Sequence, residues 1–166
     1  MPRLLEQFPQ VIYDIVGDGD RRPALEQLAM DLGISDSVRF HGVVTDAELS
    51  GFYSRDAVFV MPSTVEGFGF VFAEAMSYGM PAIGGNRDAG AEVIIDGSTG
   101  FVIDPESVEA LVSTVAELLG NEATWRRMSA EAREHARSSF AYKLFRDRFA
   151  GILARIVETE MQENRK

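Results

Sequence analysis

The chain has 166 residues, of which 46% are hydrophobic, enough to build one sizeable core rather than a disordered segment. It contains no cysteine, which excludes disulfides, thiolate metal sites and thiol nucleophiles. The net charge of -10 argues against nucleic acid or an anionic membrane surface as a partner. The histidines, His41 and His135, are too few and too far apart to suggest a metal cluster, so no metal site is predicted.

Apolar strand patterns alternate with helix patterns along the first two-thirds of the chain. The predicted strands cover 11–16, 38–42, 57–61, 81–85 and 100–103. The predicted helices are one that ends at Gly33, one opened by a capping box of Thr45 and Glu48, one over 70–78 and a short one over 89–95. This alternation predicts a doubly wound parallel sheet with helices on both of its faces.

From Pro105 onward the pattern becomes purely helical. Apolar residues repeat at helical spacing along three successive segments, the last of which begins near Tyr142. We therefore predict one domain over 1–166, in which 105–166 form a helical tail. No apolar run is long enough to span a bilayer and the N-terminus lacks the features of a signal peptide, so a cytoplasmic location is expected.

The run from Glu66 to Glu74, EGFGFVFAE, carries the clearest chemistry. It follows a predicted buried strand and leads into a predicted helix, and its glycines let a ligand approach the backbone. The unpaired amides and the positive dipole of a helix start suit a phosphate group. The two acids would repel phosphate, but they can accept hydrogen bonds from sugar hydroxyls. Phosphate and hydroxyl groups together describe a nucleotide sugar.

Simpler interpretations exist for most of the remaining residues of interest. Gly17 and Gly19 could equally be tight turns, and His41 is expected to be a packed strand residue rather than a catalyst. The side chains of Phe68 and Phe70, with that of Phe72, are expected to divide between the core and a pocket wall. Trp125 and the methionines are expected in the core. A surface role for Glu66 and Glu74 is disfavoured, because open parallel sheets bind ligands where strands end.

A family resemblance rests on the stretch from Met61 to Pro81, MPSTVEGFGFVFAEAMSYGMP. It closely resembles the donor-site signature of group 1 (retaining) glycosyltransferases, which have the GT-B fold. Shorter pieces at 15–19, 38–42 and 91–100 match the same family, so the resemblance covers essentially the whole chain. It is a resemblance to the C-terminal, Rossmann-like half of such an enzyme, the half that binds the nucleotide sugar.

The resemblance implies a role for each residue of the signature. Glu66 would be the catalytic-site acid that contacts hydroxyls of the donor sugar, and Glu74 would hold the ribose hydroxyls. Backbone around Val44 would meet the base, and Gly17 would belong to the same substrate-binding set. The glycine-loop contacts come from backbone: Gly67, Phe68 and Gly69 for the sugar, Phe70 and Val71 for the diphosphate. The family transfers a sugar with retention and needs neither a catalytic metal nor a cofactor, since the nucleotide sugar is a substrate.

Two features of the family are missing from this sequence. One is the N-terminal, acceptor-binding domain. The other is the first strand of the C-terminal domain, with the Arg and Lys that follow it and neutralise the diphosphate. The chain is therefore expected to be inactive alone. In the family's sheet the missing strand lies between those matching 11–16 and 57–61. Those two strands should either pair directly or leave open edges that a homodimer covers, and the homodimer is the favoured outcome.

Alternatives to a sugar transferase remain at this stage. One is a non-catalytic module that binds nucleotide sugars or another protein, which the missing catalytic half would favour. Another is a related GT-B enzyme, either an epimerase or a glycan phosphorylase. The phosphorylase would need a lysine-bound cofactor, yet the lysines, Lys143 and Lys166, are far from the glycine loop in the sequence.

Overall fold

The computed structural model describes residues 1–55, 57–64, 67–87 and 90–163, with side chains through residue 156. Its strands are Tyr13–Val16 (β1), Val38–Gly42 (β2), Phe59–Met61 (β3), Ala82–Gly85 (β4) and Gly100–Ile103 (β5). Its helices are Pro2–Leu5 (α1), Arg22–Asp31 (α2), Asp46–Arg55 (α3), Phe70–Ser77 (α4), Gly90–Val93 (α5), Val108–Gly120 (α6), Glu122–Ser139 (α7) and Tyr142–Glu163 (α8). A 3-10 helix over Ser35–Ser37 precedes β2.

The predicted alternation of strands and helices is confirmed, as is the helical tail formed by α6, α7 and α8. The bounds of β2 and β5 coincide with the predicted strands. The sequence pattern does not predict α1 or the 3-10 helix, because each is too short to show a period. The capping box at the start of α3 is also confirmed. The Glu48 carboxylate accepts from the Thr45 amide at 2.8 Å, and this bond holds the pKa of Glu48 below its ordinary value.

The described strands form two parallel sheets rather than one. In the first sheet β1 pairs with β2, with Tyr13 opposite Val38. In the second sheet β4 lies between β3 and β5, with Ile83 opposite both Val60 and Phe101. Within each sheet the strands are parallel, so all of their carboxyl ends lie at one edge.

Direct pairing of the strands at 11–16 and 57–61, the less favoured of the two predicted outcomes, is not found among the described residues. There, β1 pairs only with β2, and β3 pairs only with β4. The other edges of β1 and β3 have no strand partner in this part of the chain. Val11, just before β1, and Val58 and Val60, at β3, pack against one apolar cluster.

The core lies around the second sheet. Strand β4 is buried along its whole length, and helix α4 packs against α7 over it. The largest side chains that are fully buried come from both layers: Phe72, Met76, Ile83 and Met128. The core prediction is thus confirmed for Met76 and Met128 but is wrong for Met30, which is 57% exposed. Trp125 is only partly buried, and its indole N–H donates to the Ala57 carbonyl at 2.7 Å.

Two helices keep apolar faces that the described residues leave largely uncovered. On α2, Ala29 is buried, but Leu25 and Leu28 of the same predicted face are exposed. On α8, the stacked rings of Phe145 and Phe149 are exposed as well. Sequence periodicity correctly identifies both faces as apolar, but it carries no information on what packs against them.

Helix α3 is joined to the first sheet by a cluster of four side chains, Asp14, His41, Phe52 and Arg55, which we call the Asp14 cluster. The Asp14 side chain is only 9% exposed and contacts His41 Nε2 at 2.5 Å and Arg55 Nη2 at 3.0 Å. The His41 ring packs on Phe52 at a centroid distance of 4.6 Å, and the Arg55 guanidinium lies over the same ring. His41 is therefore a packed strand residue, as predicted.

Replacing Asp14 by alanine should detach α3 from the first sheet. We expect the free energy of unfolding to fall by about 1–3 kcal/mol, because His41 and Arg55 would both lose their contact with a largely buried charged group. Urea denaturation of the chain measures the loss. Asp147→Ala is the matched control, since Asp147 is 52% exposed and pairs with its neighbour Arg146. Exposed pairs contribute about 0–1 kcal/mol. Equal, small losses in both variants would show that the cluster does not hold α3.

Candidate functional site

The glycine loop between β3 and α4 forms one part of the candidate site. Gly69 is the N-cap of α4 and adopts a left-handed conformation, with φ 74° and ψ 37°, which favours glycine. No side-chain bond caps α4 within the described residues. The Phe72 amide donates to the Gly69 carbonyl at 3.0 Å, and the amides of Phe70 and Val71 open the helix before it. An uncapped helix start of this kind can accept an anion.

Glu66, the predicted sugar-contacting acid, lies outside the described residues. Gly67 and Phe68, which follow it, are described and exposed. The structure therefore describes the second half of the glycine loop and the start of α4, and the role of Glu66 stays a prediction from the sequence.

The three phenylalanines of the loop divide between surface and core. Phe72 is fully buried and packs edge to face on Phe59, with ring centroids 5.6 Å apart. Phe68 and Phe70 lie on the surface with their rings 4.4 Å apart, and Phe70 is 65% exposed. Phe140 at the end of α7 meets the Phe68 ring edge to face. The mixture of core and surface roles is as expected, with the two exposed rings beside the helix start.

Glu74 lies one helical turn beyond Phe70, on the exposed side of α4. Its carboxylate accepts a hydrogen bond from the Tyr53 hydroxyl, at 3.3 Å between Oη and Oε2. Burial of the ring, reinforced by the negative charge of Glu74, raises the pKa of Tyr53 to about 12. The phenol consequently stays protonated near neutral pH, where it can donate to the carboxylate.

Gly17 and Val44 belong to a second part of the site, at the carboxyl ends of β1 and β2. The Gly17 amide donates to the Gly42 carbonyl at 2.8 Å, which ties the two strand ends together. Val43 and Val44 follow in the turn toward α3, and Val43 is 85% exposed. The structure thus brings Gly17 close to the turn that carries Val44.

Two residues of the site were not identified from the sequence. Arg22 is the first residue of α2 and lies against the turn after β2. Its Nη1 atom is 3.0 Å from the position that a Cβ atom would take if Gly42 carried a side chain. Its guanidinium also pairs with Glu26 at 2.8 Å and Asp18 at 3.7 Å. The second residue is Tyr53 on α3, which contacts Glu74. The available signals were the i, i+4 spacing of Arg22 and Glu26, and the polar end of an otherwise buried tyrosine.

The fold is that of a sugar-transferring family. The family described as Glycosyl transferases group 1 matches residues 1–135, and the chain belongs to this family. The family resemblance stated from the sequence, and the GT-B fold that it implies, are confirmed.

Individual relatives agree with this assignment. A mycobacterial protein, the GDP-mannose-dependent alpha-(1-6)-phosphatidylinositol monomannoside mannosyltransferase of Mycobacterium tuberculosis (strain H37Rv), is 35% identical over 160 residues. That alignment covers 92% of this chain and 42% of the relative, so the chain spans less than half of the relative's length.

Solved structures share the fold. Sucrose-phosphate synthase from Thermosynechococcus elongatus superimposes with a TM-score of 0.84 at 25% identity, covering 95% of this chain and 41% of that one. Anabaena Alr3699/HepE, solved in complex with UDP, has a TM-score of 0.82 at 24% identity, covering 88% of this chain and 41% of that one.

The described residues contain neither a candidate metal site nor a membrane-spanning helix. No three His, Asp or Glu side chains come together there in a way that could hold a metal ion. No helix of the described chain is both long and apolar enough to cross a membrane.

Proposed function

We propose that the chain supplies the donor site of a retaining glycosyltransferase that takes its sugar from a nucleoside diphosphate sugar. The observation that carries the proposal is the open start of α4, with Glu74 one turn further along. Because the chain belongs to a glycosyltransferase family, we interpret this arrangement as a binding site for the sugar donor. Among relatives, the mycobacterial enzyme is named as GDP-mannose-dependent, so GDP-mannose is the first donor to test.

In this proposal the nucleoside diphosphate sugar contacts both parts of the site. The amides of Phe70 and Val71 bind the diphosphate, and the dipole of α4 stabilises the negative charge that grows on the leaving group. Glu74 accepts hydrogen bonds from the ribose hydroxyls, and the backbone of Gly17 and Val44 lines the base. Glu66 contacts hydroxyls of the transferred sugar, with the amides of Gly67, Phe68 and Gly69 beside it.

The acceptor site and the rest of the catalytic machinery belong, in this proposal, to the half of the enzyme that this chain does not match. Positioning of donor and acceptor supplies much of the rate of such a transfer, so the chain alone should show no turnover. A non-catalytic role in binding a nucleotide sugar is the alternative. The acceptor domain, a cytoplasmic location and the retention of configuration stay predictions.

Weak binding of a nucleoside diphosphate is the first expected outcome. Titration of the chain with GDP, UDP and ADP should shift the amide NMR signals of residues 67–74 at millimolar concentration. Affinity should be low because the Arg and Lys of the family are missing, and hydrogen bonds to charged groups contribute about 1.5–3 kcal/mol each. Glu92→Gln, on α5, is a control that should leave the shifts unchanged. An absence of shifts for all three nucleotides would contradict the donor site.

The two acids should differ in what they bind. Glu74→Ala should weaken the nucleoside diphosphate and the diphospho-sugar alike, because both contain ribose. Glu66→Ala should weaken only the diphospho-sugar. Each loss should be about tenfold or more, from about 1.5–3 kcal/mol for bonds to a charged group. Calorimetry on an enzyme that carries both halves compares the two ligands, and equal losses for both ligands in both variants would refute the assignment.

The open edges of β1 and β3 lead to an expectation about assembly. Unpaired edge strands offer rows of amides and carbonyls to another chain. We propose that two copies of the chain cover these edges in a homodimer, as a result of the divided sheet rather than for catalysis. Light scattering should then give a mass that rises toward the dimer with concentration. A monomer at every concentration would rule the homodimer out.

A further inference from the structure

The carboxylate of Glu74 faces a single hydroxyl group that the proposed function does not use. Glu74 lies on the exposed side of α4, where a long flexible side chain samples many rotamers. The Tyr53 hydroxyl reaches its Oε2 from α3 at 3.3 Å. Because a carboxylate has about four acceptor positions, one such bond leaves others for a ligand.

Tyr53 is held rigidly, unlike the acid that it contacts. Its side chain is 8% exposed and packs with Ala75 and Met80. Its ring also lies against Phe59, at a centroid distance of 6.2 Å, and against Tyr78, at 5.6 Å. The hydroxyl is therefore a fixed donor beside an exposed carboxylate.

The packing of Tyr53 does not by itself explain the hydroxyl. A phenylalanine would fill the same apolar surroundings without leaving a polar group to satisfy. Among the described residues the hydroxyl has one hydrogen-bond partner, and that partner is the acid that the proposed function assigns to the ribose. The distance of 3.3 Å is long for an O–H···O bond, and such contacts shorten when a ligand orders the acid.

We propose that Tyr53 is a positioning residue that holds Glu74 in the orientation that accepts the ribose hydroxyls, and so sets the preference for ribonucleotides over deoxyribonucleotides. The proposal rests on the proposed function, because it needs Glu74 at the ribose. Tyr53 itself touches no substrate: it acts by reducing the number of rotamers that Glu74 loses on binding.

The test is the substitution Tyr53→Phe, which keeps the packed ring and removes only the hydroxyl. GDP and 2′-deoxyGDP are titrated into the whole chain, or the uridine pair if UDP binds more tightly. The wild-type chain should prefer the ribonucleotide, and Tyr53→Phe should reduce that preference by about threefold, as expected for one net hydrogen bond. A purely structural role would weaken both nucleotides equally and leave the ratio unchanged.

Tyr78→Phe is the matched control. Tyr78 packs on Tyr53 in the same aromatic group, but its hydroxyl bonds to Ser50 Oγ at 3.0 Å rather than to Glu74. Its removal should leave the ratio of the two affinities at the wild-type value. Circular dichroism and the urea midpoint confirm that both variants are folded.

A double-mutant cycle with Glu74→Ala, which removes the acceptor, completes the test. In the Glu74→Ala background, Tyr53→Phe should have no further effect on the ratio, because both residues act through one contact. If the wild-type chain binds no nucleotide, the proposed function and this proposal fail together. If it prefers the ribonucleotide and Tyr53→Phe keeps that preference, the donor site stands and only the role of Tyr53 is overturned.

Discussion

The division of the strands into two sheets is the constraint on which the rest of the structure depends. A continuous sheet is joined by backbone hydrogen bonds, but β1 and β3 share none among the described residues. The halves must therefore be held together by side chains and by helices that contact both. Helix α3 does this most directly. One side of it meets the first sheet through the Asp14 cluster, and its Tyr53 packs against Phe59 of the second sheet.

The candidate site inherits this arrangement. In the proposed donor site, the base would lie at the turn after β2, and the phosphate and ribose would lie at the start of α4, which follows β3. The site combines backbone groups with a few side chains. Backbone groups dominate at Gly17, Gly42 and the first turn of α4, whereas Glu74 and Tyr53 contribute side chains. Backbone contacts tolerate sequence change, so specificity has to come mainly from the few side chains and from the shape of the turns.

The sequence predicts the local elements and the glycine loop well, because each has a short-range signal. Thr45 and Glu48 form a capping box within four consecutive residues, and the buried β5 has the expected bounds. The sequence does not predict contacts between residues that are far apart in the chain. The pairing of Asp14 with Arg55, the exposure of Leu28 and the bond from Tyr53 to Glu74 all depend on tertiary packing, which periodicity does not encode. The division of the strands into two sheets also depends on such long-range contacts.

Val43 has a consequence for how members of such a family diversify. It lies in the turn beside the tied ends of β1 and β2, yet its own side chain is 85% exposed and carries almost no packing. Replacing Val43 should leave the neighbouring helix α3 undisturbed, since substitutions at exposed loop positions have little effect on stability. A substitution at Val43 therefore needs almost no compensating substitution elsewhere in the chain. Where homologues differ here in a regular way, the difference records selection on what they bind rather than repair of the fold.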